Sequence, residues 1–429
     1  MSGMHDAFLS QQQIAVEVDY FDERAKVEFS SYPTHAKIAE IAGKTIFIPT
    51  GEILTYFLFH KPRFHGGGLS HYQSLTREQH SAIAMLDRYV EPNGTSLRIA
   101  TEQQVGTYIP EYLGEAVGLS VINRLHGMTE ADWKRIEQEH GRRAAPTFDY
   151  EHEFKASDGK SIIQLEAKGS VVEDCKKHCA NTQNHRTKIE EKKRKIGGTG
   201  AKYRYPADLR YGTITAIDRT WDRSIKCWLV DPEADKDTIP AANFKLLARM
   251  VFIRDCVQLV SSRSTLAAVL RDRVAVLEAL KNPFELDGVS LRHREESFGG
   301  IIRDFQFPRS AFGSSVSRLF PRRSHVVDGP TAGEILPGPD CVLFCGFQEE
   351  LVELAIEQEF DRIISYERPS ATIEKTVECV VTRRRFLRDF SVLPSLRRFA
   401  EGSKDPINFR LQGHLYYAPS GTVVGRLEV

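Results

Sequence analysis

Residues 146–169 constrain this chain more than any other stretch. They run Pro-Thr-Phe-Asp-Tyr-Glu-His-Glu-Phe-Lys-Ala-Ser-Asp-Gly-Lys-Ser-Ile-Ile-Gln-Leu-Glu-Ala-Lys-Gly and read as two strands joined by a tight turn. Phe148, Tyr150, His152 and Phe154 alternate with Asp149, Glu151, Glu153 and Lys155, the period of a half-buried strand. Asp158-Gly159 is the dipeptide that a two-residue hairpin loop favours. With that loop, Ser157 faces Lys160, Glu151 faces Glu166 and Asp149 faces Lys168. Opposed residues share a sheet face, so Asp149, Glu151, Glu166 and Lys168 are expected together on one side. Like charges directly opposite are unfavourable unless a cation lies between them, and a divalent metal beside a lysine meets that need.

At 429 residues the chain is long enough for two or three domains. It is 41% hydrophobic and 27% charged with zero net charge. Those are the proportions of an ordinary soluble protein, with no global field for nucleic acid. The N-terminus has no apolar signal core and no long apolar run follows, so no membrane segment is expected. Seven scattered cysteines suit a reducing cytoplasm.

Three regions are expected: an N-terminal α+β region (1–104), a core (105–235) and a C-terminal helical then mixed α+β region (236–429). In the first, Gln13 to Phe29 reads as paired strands around Asp22-Glu23, Thr34 to Gly43 as a short helix and Lys44 to Pro49 as a strand. His65-Gly66-Gly67-Gly68 lacks the lysine of a phosphate-binding loop, and Thr76 to Tyr89 reads as an amphipathic helix. Tyr108 to Gly127 has helical spacing and a glycine C-cap. Glu111 and Glu115 lie one turn apart on it, and the small Gly114 and Ala116 beside Glu115 allow close packing on a sheet. Thr129 to His140 reads as a second helix with a capping-box start. Ser170 to Lys195 reads as a long basic helix, and Tyr211 to Ile217 and Ile225 to Val230 as strands. Asn243 to Leu280 is helical with a break near Ser261. Arginine clusters follow at 309–323 and 382–398.

A helical Glu115, then Asp149 in one strand, then Glu166-Ala167-Lys168 ending the next, resembles the PD-(D/E)XK nuclease superfamily. The resemblance covers only residues 105–235. It implies an α/β restriction-endonuclease-like core, a mixed central sheet flanked by helices, and Mg²⁺- or Mn²⁺-dependent cleavage of phosphodiester bonds. It favours DNA over RNA as substrate and implies a role in prokaryotic restriction or anti-phage defence. By that resemblance Asp149 and Glu166 are metal ligands with the Ala167 carbonyl, Lys168 orients or helps deprotonate the attacking water, and Glu115 holds a second ion or a water. Glu151 competes with Asp149 as ligand, and Gln183 is a candidate helical contact. The partners implied are nucleic acid and a second copy or partner subunit.

Three plainer readings stand beside this one. Glu-x-Lys alone carries nothing, since Glu190-Glu191-Lys192 also matches it, and the strand face could be solvated with weak ion pairs. The fold could belong to a catalytically inactive binding or assembly subunit. Cys175, His178, Cys179 and His185 invite comparison with a zinc site, although no Cys-x-x-Cys hairpin is present.

Overall fold

The structure, a computed structural model, describes residues 13–31, 35–59, 90–93, 96–99, 108–136, 146–156, 159–197, 207–218, 225–233, 244–261, 265–279, 331–337, 342–381, 383 and 407–428. It divides into two compact units, residues 1–62 with 85–248, and 63–84 with 249–429.

The first unit is a mixed sheet flanked by helices. Its elements are β1 (Gln13–Tyr20), α1 (Glu23–Ser30), α2 (His35–Ile41), β2 (Lys44–Pro49), α3 (Thr50–Phe59), β3 (Val90–Asn93) and β4 (Ser96–Ile99). After them come α4 (Tyr108–His126), a 3-10 turn (Glu130–Asp132), β5 (Lys134–Arg135), β6 (Tyr150–Ala156), β7 (Gly159–Val172), α5 (Ala180–Gly197), β8 (Leu209–Asp218) and β9 (Ile225–Glu233). Seven strands form one sheet in the order β2-β1-β9-β8-β7-β6-β5. β7 and β8 pair in parallel, as do β9 and β1, and the remaining neighbours are antiparallel. The expected N-terminal region and core therefore share a sheet, because β1 and β2 extend it beyond β9.

Several elements differ from the sequence expectation. Gln13 to Phe29 is a strand followed by a helix, because Asp22 caps α1 by accepting the Ala25 amide at 2.8 Å and Arg24 pairs with Glu28 one turn on. The capping box of Thr129 and Asp132 is present, but it opens only a 3-10 turn before β5. There the chain is drawn into the sheet edge, where Lys134 pairs with Glu151. β7 continues to Val172 because residues 163–172 pair with 209–218 of β8. The basic helix α5 therefore begins at Ala180. The expected elements at 65–68 and 76–89 and the arginines at 309–323 lie outside the described residues. Of the cluster at 382–398 only Arg383 is described.

The hairpin register also differs. Ala156 pairs with Gly159, so Glu151 faces Gln164 and Tyr150 faces Leu165. The connecting residues are thus 157 and 158, which lie outside the described residues, rather than Asp158-Gly159. Glu151 gains a neutral partner that hydrogen-bonds it, which avoids the opposition of two carboxylates.

α4 and α5 cover opposite faces of β7 and β8. α4 comes close because its Gly114 meets Gly169 on the strand. A Cβ on Gly114 would stand 2.5 Å from the Gly169 Cα, and one on Gly169 would stand 1.7 Å from the Pro110 carbonyl oxygen. On the other face Ile189 of α5 sits over Gly212.

The second unit contains a five-stranded antiparallel sheet, β10-β11-β14-β13-β12. Its elements are α6 (Phe244–Ser261, with the unit boundary inside it), α7 (Thr265–Ala279), β10 (Thr331–Pro337), β11 (Val342–Gln348), α8 (Glu349–Glu357) and α9 (Phe360–Ser365). The last three are β12 (Ala371–Val381), β13 (Ile407–Tyr417) and β14 (Thr422–Glu428). Buried arginines hold its helices together. Arg249 donates to the carbonyls of Ile363 and Tyr366 at 2.7 Å each, and Arg273 to that of Ala355 at 2.6 Å. These carbonyls lie at helix C-termini, where unpaired acceptors and the dipole both favour a cation. No described helix is long and apolar enough to cross a membrane.

The glycine contact between α4 and β7 yields a direct test. Gly114→Ala and Gly169→Ala should each lower the unfolding free energy by about 1–3 kcal/mol or more, the range for overpacking. Urea unfolding monitored by circular dichroism measures this. A loss under about 0.5 kcal/mol for both, typical of surface positions, would refute the tight crossing.

Candidate active site

The site forms where β6 and β7 part. β6 begins at Tyr150, whereas β7 runs on to Val172. Asp149, just before β6, keeps the ladder going by one step. Its amide donates to the Leu165 carbonyl at 3.1 Å, and its own carbonyl accepts the Ile136 amide at 3.0 Å. Beyond that step the Asp149 side chain replaces the missing strand, with Oδ2 accepting the Ala167 amide at 3.2 Å.

Glu166 is the deepest of these side chains, 2% exposed. Lys168, two residues on and therefore on the same face, places Nζ 2.6 Å from Glu166 Oε1 and 3.6 Å from Asp149 Oδ2. The other Glu166 oxygen, Oε2, is held at 2.6 Å by Nζ of Lys192 from α5. Burial, then the Asp149 charge, pushes the Glu166 carboxyl up, and the two lysines oppose that shift. For Lys168 burial works against the charged form, but Asp149 and Glu166 outweigh it, and the ammonium keeps its proton above the ordinary lysine range.

Glu115 arrives from α4, directly after the Gly114 crossing. Its Oε2 accepts the Tyr150 hydroxyl at 2.9 Å, and Arg135 reaches the same hydroxyl at 3.4 Å. Burial, followed by the Asp149 charge, raises the Glu115 carboxyl to about 7. Burial and the Glu115 charge together keep the Tyr150 phenol protonated well above its usual range. Glu111 of the same helix is exposed.

The structure therefore brings Asp149, Glu166 and Lys168 into contact and sets Glu115 within electrostatic reach of Asp149. Glu151 belongs to the neighbouring row. Its Oε1 lies 3.9 Å from Lys134 Nζ, it hydrogen-bonds Gln164, and Gln164 accepts from the buried Arg210 at 3.3 Å. Gln183 is exposed on the first turns of α5. Lys192 is the site residue that sequence reading assigned only to a basic helix. Its signal was the stripe Ile189, Lys192, Lys193 and Ile196, whose spacing defines one helix face.

Hard carboxylate oxygens are the usual ligands of Mg²⁺ and Mn²⁺. Asp149 raises the pKa of both Glu115 and Glu166, a mutual repulsion that a divalent cation would relieve, so the donor chemistry fits such an ion. In the geometry observed, ammonium groups occupy both Glu166 oxygens. Among the described residues no group of three or more His, Cys, Asp or Glu side chains is arranged to hold a metal ion. The zinc candidates form no such group among the described residues. Cys175 is buried beside Asp218, which with burial pushes its thiol up to about 12. His178 stacks on Phe21 at 4.1 Å, and His185 hydrogen-bonds the Gly169 backbone.

Glu115 links the site to stability. A carboxyl whose folded pKa of about 7 exceeds its ordinary 4.5 contributes stability that is fully present below 4.5 and is lost as pH rises through 7. The loss is roughly 3 kcal/mol. Glu115→Gln should abolish that decline, leaving the variant more stable than wild type at pH 8 relative to pH 4.5. Chemical denaturation across this range reads the slope, and an unchanged slope would remove Glu115 as its source.

Compared with models of protein families, with curated proteins and with solved structures, the chain matches none.

Proposed function

We propose that the first unit is a metal-dependent phosphodiesterase of the PD-(D/E)XK kind, an endonuclease acting on DNA in the cytoplasm. The observation that carries this reading is the convergence of Asp149, Glu166 and Lys168 at the point where β6 leaves β7. The succession of a helix bearing Glu115, a strand start bearing Asp149 and a strand bearing Glu166-Ala167-Lys168 supports it, on a mixed sheet flanked by helices. A role in restriction or anti-phage defence, with a second copy or a partner subunit, follows from that family likeness alone.

Phosphodiester hydrolysis requires a nucleophilic water and compensation of the charge that builds on phosphate. Asp149 and Glu166 would hold the cation with the Ala167 carbonyl, and Glu115 would serve a second ion or an ordered water. A bound divalent cation supplies Lewis-acid polarisation of phosphate and acidifies water. Lys168, whose ammonium lies 2.6 Å from Glu166 and 3.6 Å from Asp149, would orient or help deprotonate the attacking water and meet the charge that develops on the phosphoryl oxygens. The exposed Lys188, Arg194 and Lys195 of α5 neutralise phosphates further along the strand.

A catalytically inactive nucleic-acid-binding subunit is the competing reading. The observation in its favour is that Lys168 and Lys192 between them pair with both Glu166 oxygens. Plasmid cleavage separates the two. With Mg²⁺ or Mn²⁺ the wild type should nick or linearise DNA, and Asp149→Ala, Glu166→Ala and Lys168→Ala should each lower the rate about a hundredfold or more. Equal cutting by wild type and Lys168→Ala, or no cleavage of any DNA or RNA by the wild type, would end the nuclease reading.

A further inference from the structure

Lys192 is held in place by its helix. Ile189, one turn before it, packs over Gly212, the β8 residue paired with Glu166. Ile196, one turn after it, joins Phe148 and Ile136 in a buried cluster. Both ends of this segment of α5 are pinned to the sheet, so the Lys192 backbone stays put and only its four-carbon stem can move. Its Nζ lies 5.9 Å from the centroid of the Phe148 ring, and the side chain remains 21% exposed. A lysine of this kind keeps a route back to solvent.

Its target is unusual. Each Glu166 oxygen has its own ammonium at 2.6 Å. Lys168 is shared with Asp149 and belongs to β7 itself. Lys192 comes from another element and sits on the oxygen Lys168 leaves over. A divalent ion at that carboxylate would face the Lys192 charge at contact distance, where like charges repel strongly.

We propose that Lys192 is the resident counter-ion of Glu166, competing with a divalent cation for Oε2 and turning to a substrate phosphate oxygen when the cation takes its place. This rests on the reading of Asp149 and Glu166 as cation ligands. The lysine thereby keeps a buried carboxylate neutralised before loading and adds a second positive charge beside Lys168 after it.

The test is Mn²⁺ binding by the full chain without nucleic acid, measured by calorimetry and by the electron paramagnetic resonance signal of free Mn²⁺. Lys192→Met should bind Mn²⁺ on the order of tenfold tighter than wild type while its plasmid cleavage rate falls. A purely structural lysine would lower both together. Lys192→Arg keeps the charge and holds the carboxylate with a planar fork, so it should bind Mn²⁺ several-fold more weakly, which serves if the Met variant fails to fold. Wild-type affinity in a folded Met variant, or in the Arg variant should Met not fold, overturns this inference alone, provided that the wild type binds Mn²⁺ and cuts DNA. Absence of Mn²⁺ binding by wild type and both variants overturns it together with the metal-dependent reading.

Discussion

A carboxylate in the middle of a sheet covered on both faces must be neutralised where it stands, and the architecture around Glu166 follows from that requirement. Glu166 lies on β7, the strand that pairs in parallel with β8 and antiparallel with β6. Lys168 neutralises one oxygen from the same strand and Lys192 the other from the helix above. Lys192 would not reach it unless α5 lay low on the sheet. Gly212 permits this by leaving room for Ile189.

The opposite face repeats the device. Gly114 and Gly169 let α4 cross β7 backbone to backbone, and that crossing delivers Glu115 to the Tyr150 hydroxyl and into the field of Asp149. Close packing and charge placement are thus a single arrangement. The glycines bring the helices near enough for short side chains to meet at the end of β6. The cost is that the carboxyls of Glu115 and Glu166 both resist ionisation.

How legible this was depends on the kind of pattern involved. That Glu166 and Lys168 share a face could be read because strand side chains alternate. Moving the hairpin loop by one residue shifts the pairing by two positions and leaves every side chain on its face. The identity of the opposed pairs had no such protection, and Glu151 faces Gln164 instead of Glu166. The expected helix at Thr129 failed for a tertiary reason. Its capping box is real, but the chain beyond it gains more by pairing with β6 than by propagating a turn. Lys192 went unrecognised as a site residue because a lysine in a basic helix looks solvated until the sheet face of that helix is known.

By itself the sequence determined the alternation of 146–169, the glycine-bearing helix before it and the basic helix after it. These are properties of neighbours along the chain, set by side-chain period and backbone freedom. Tertiary structure alone decided that β1 and β2 extend the same sheet, that Asp149 meets Lys168 and the Ala167 amide, and that Lys192 completes the charge balance. Each of these depends on pairings between residues far apart in sequence. Their partners are selected by burial and by the need to satisfy polar groups, and neither is written in local spacing.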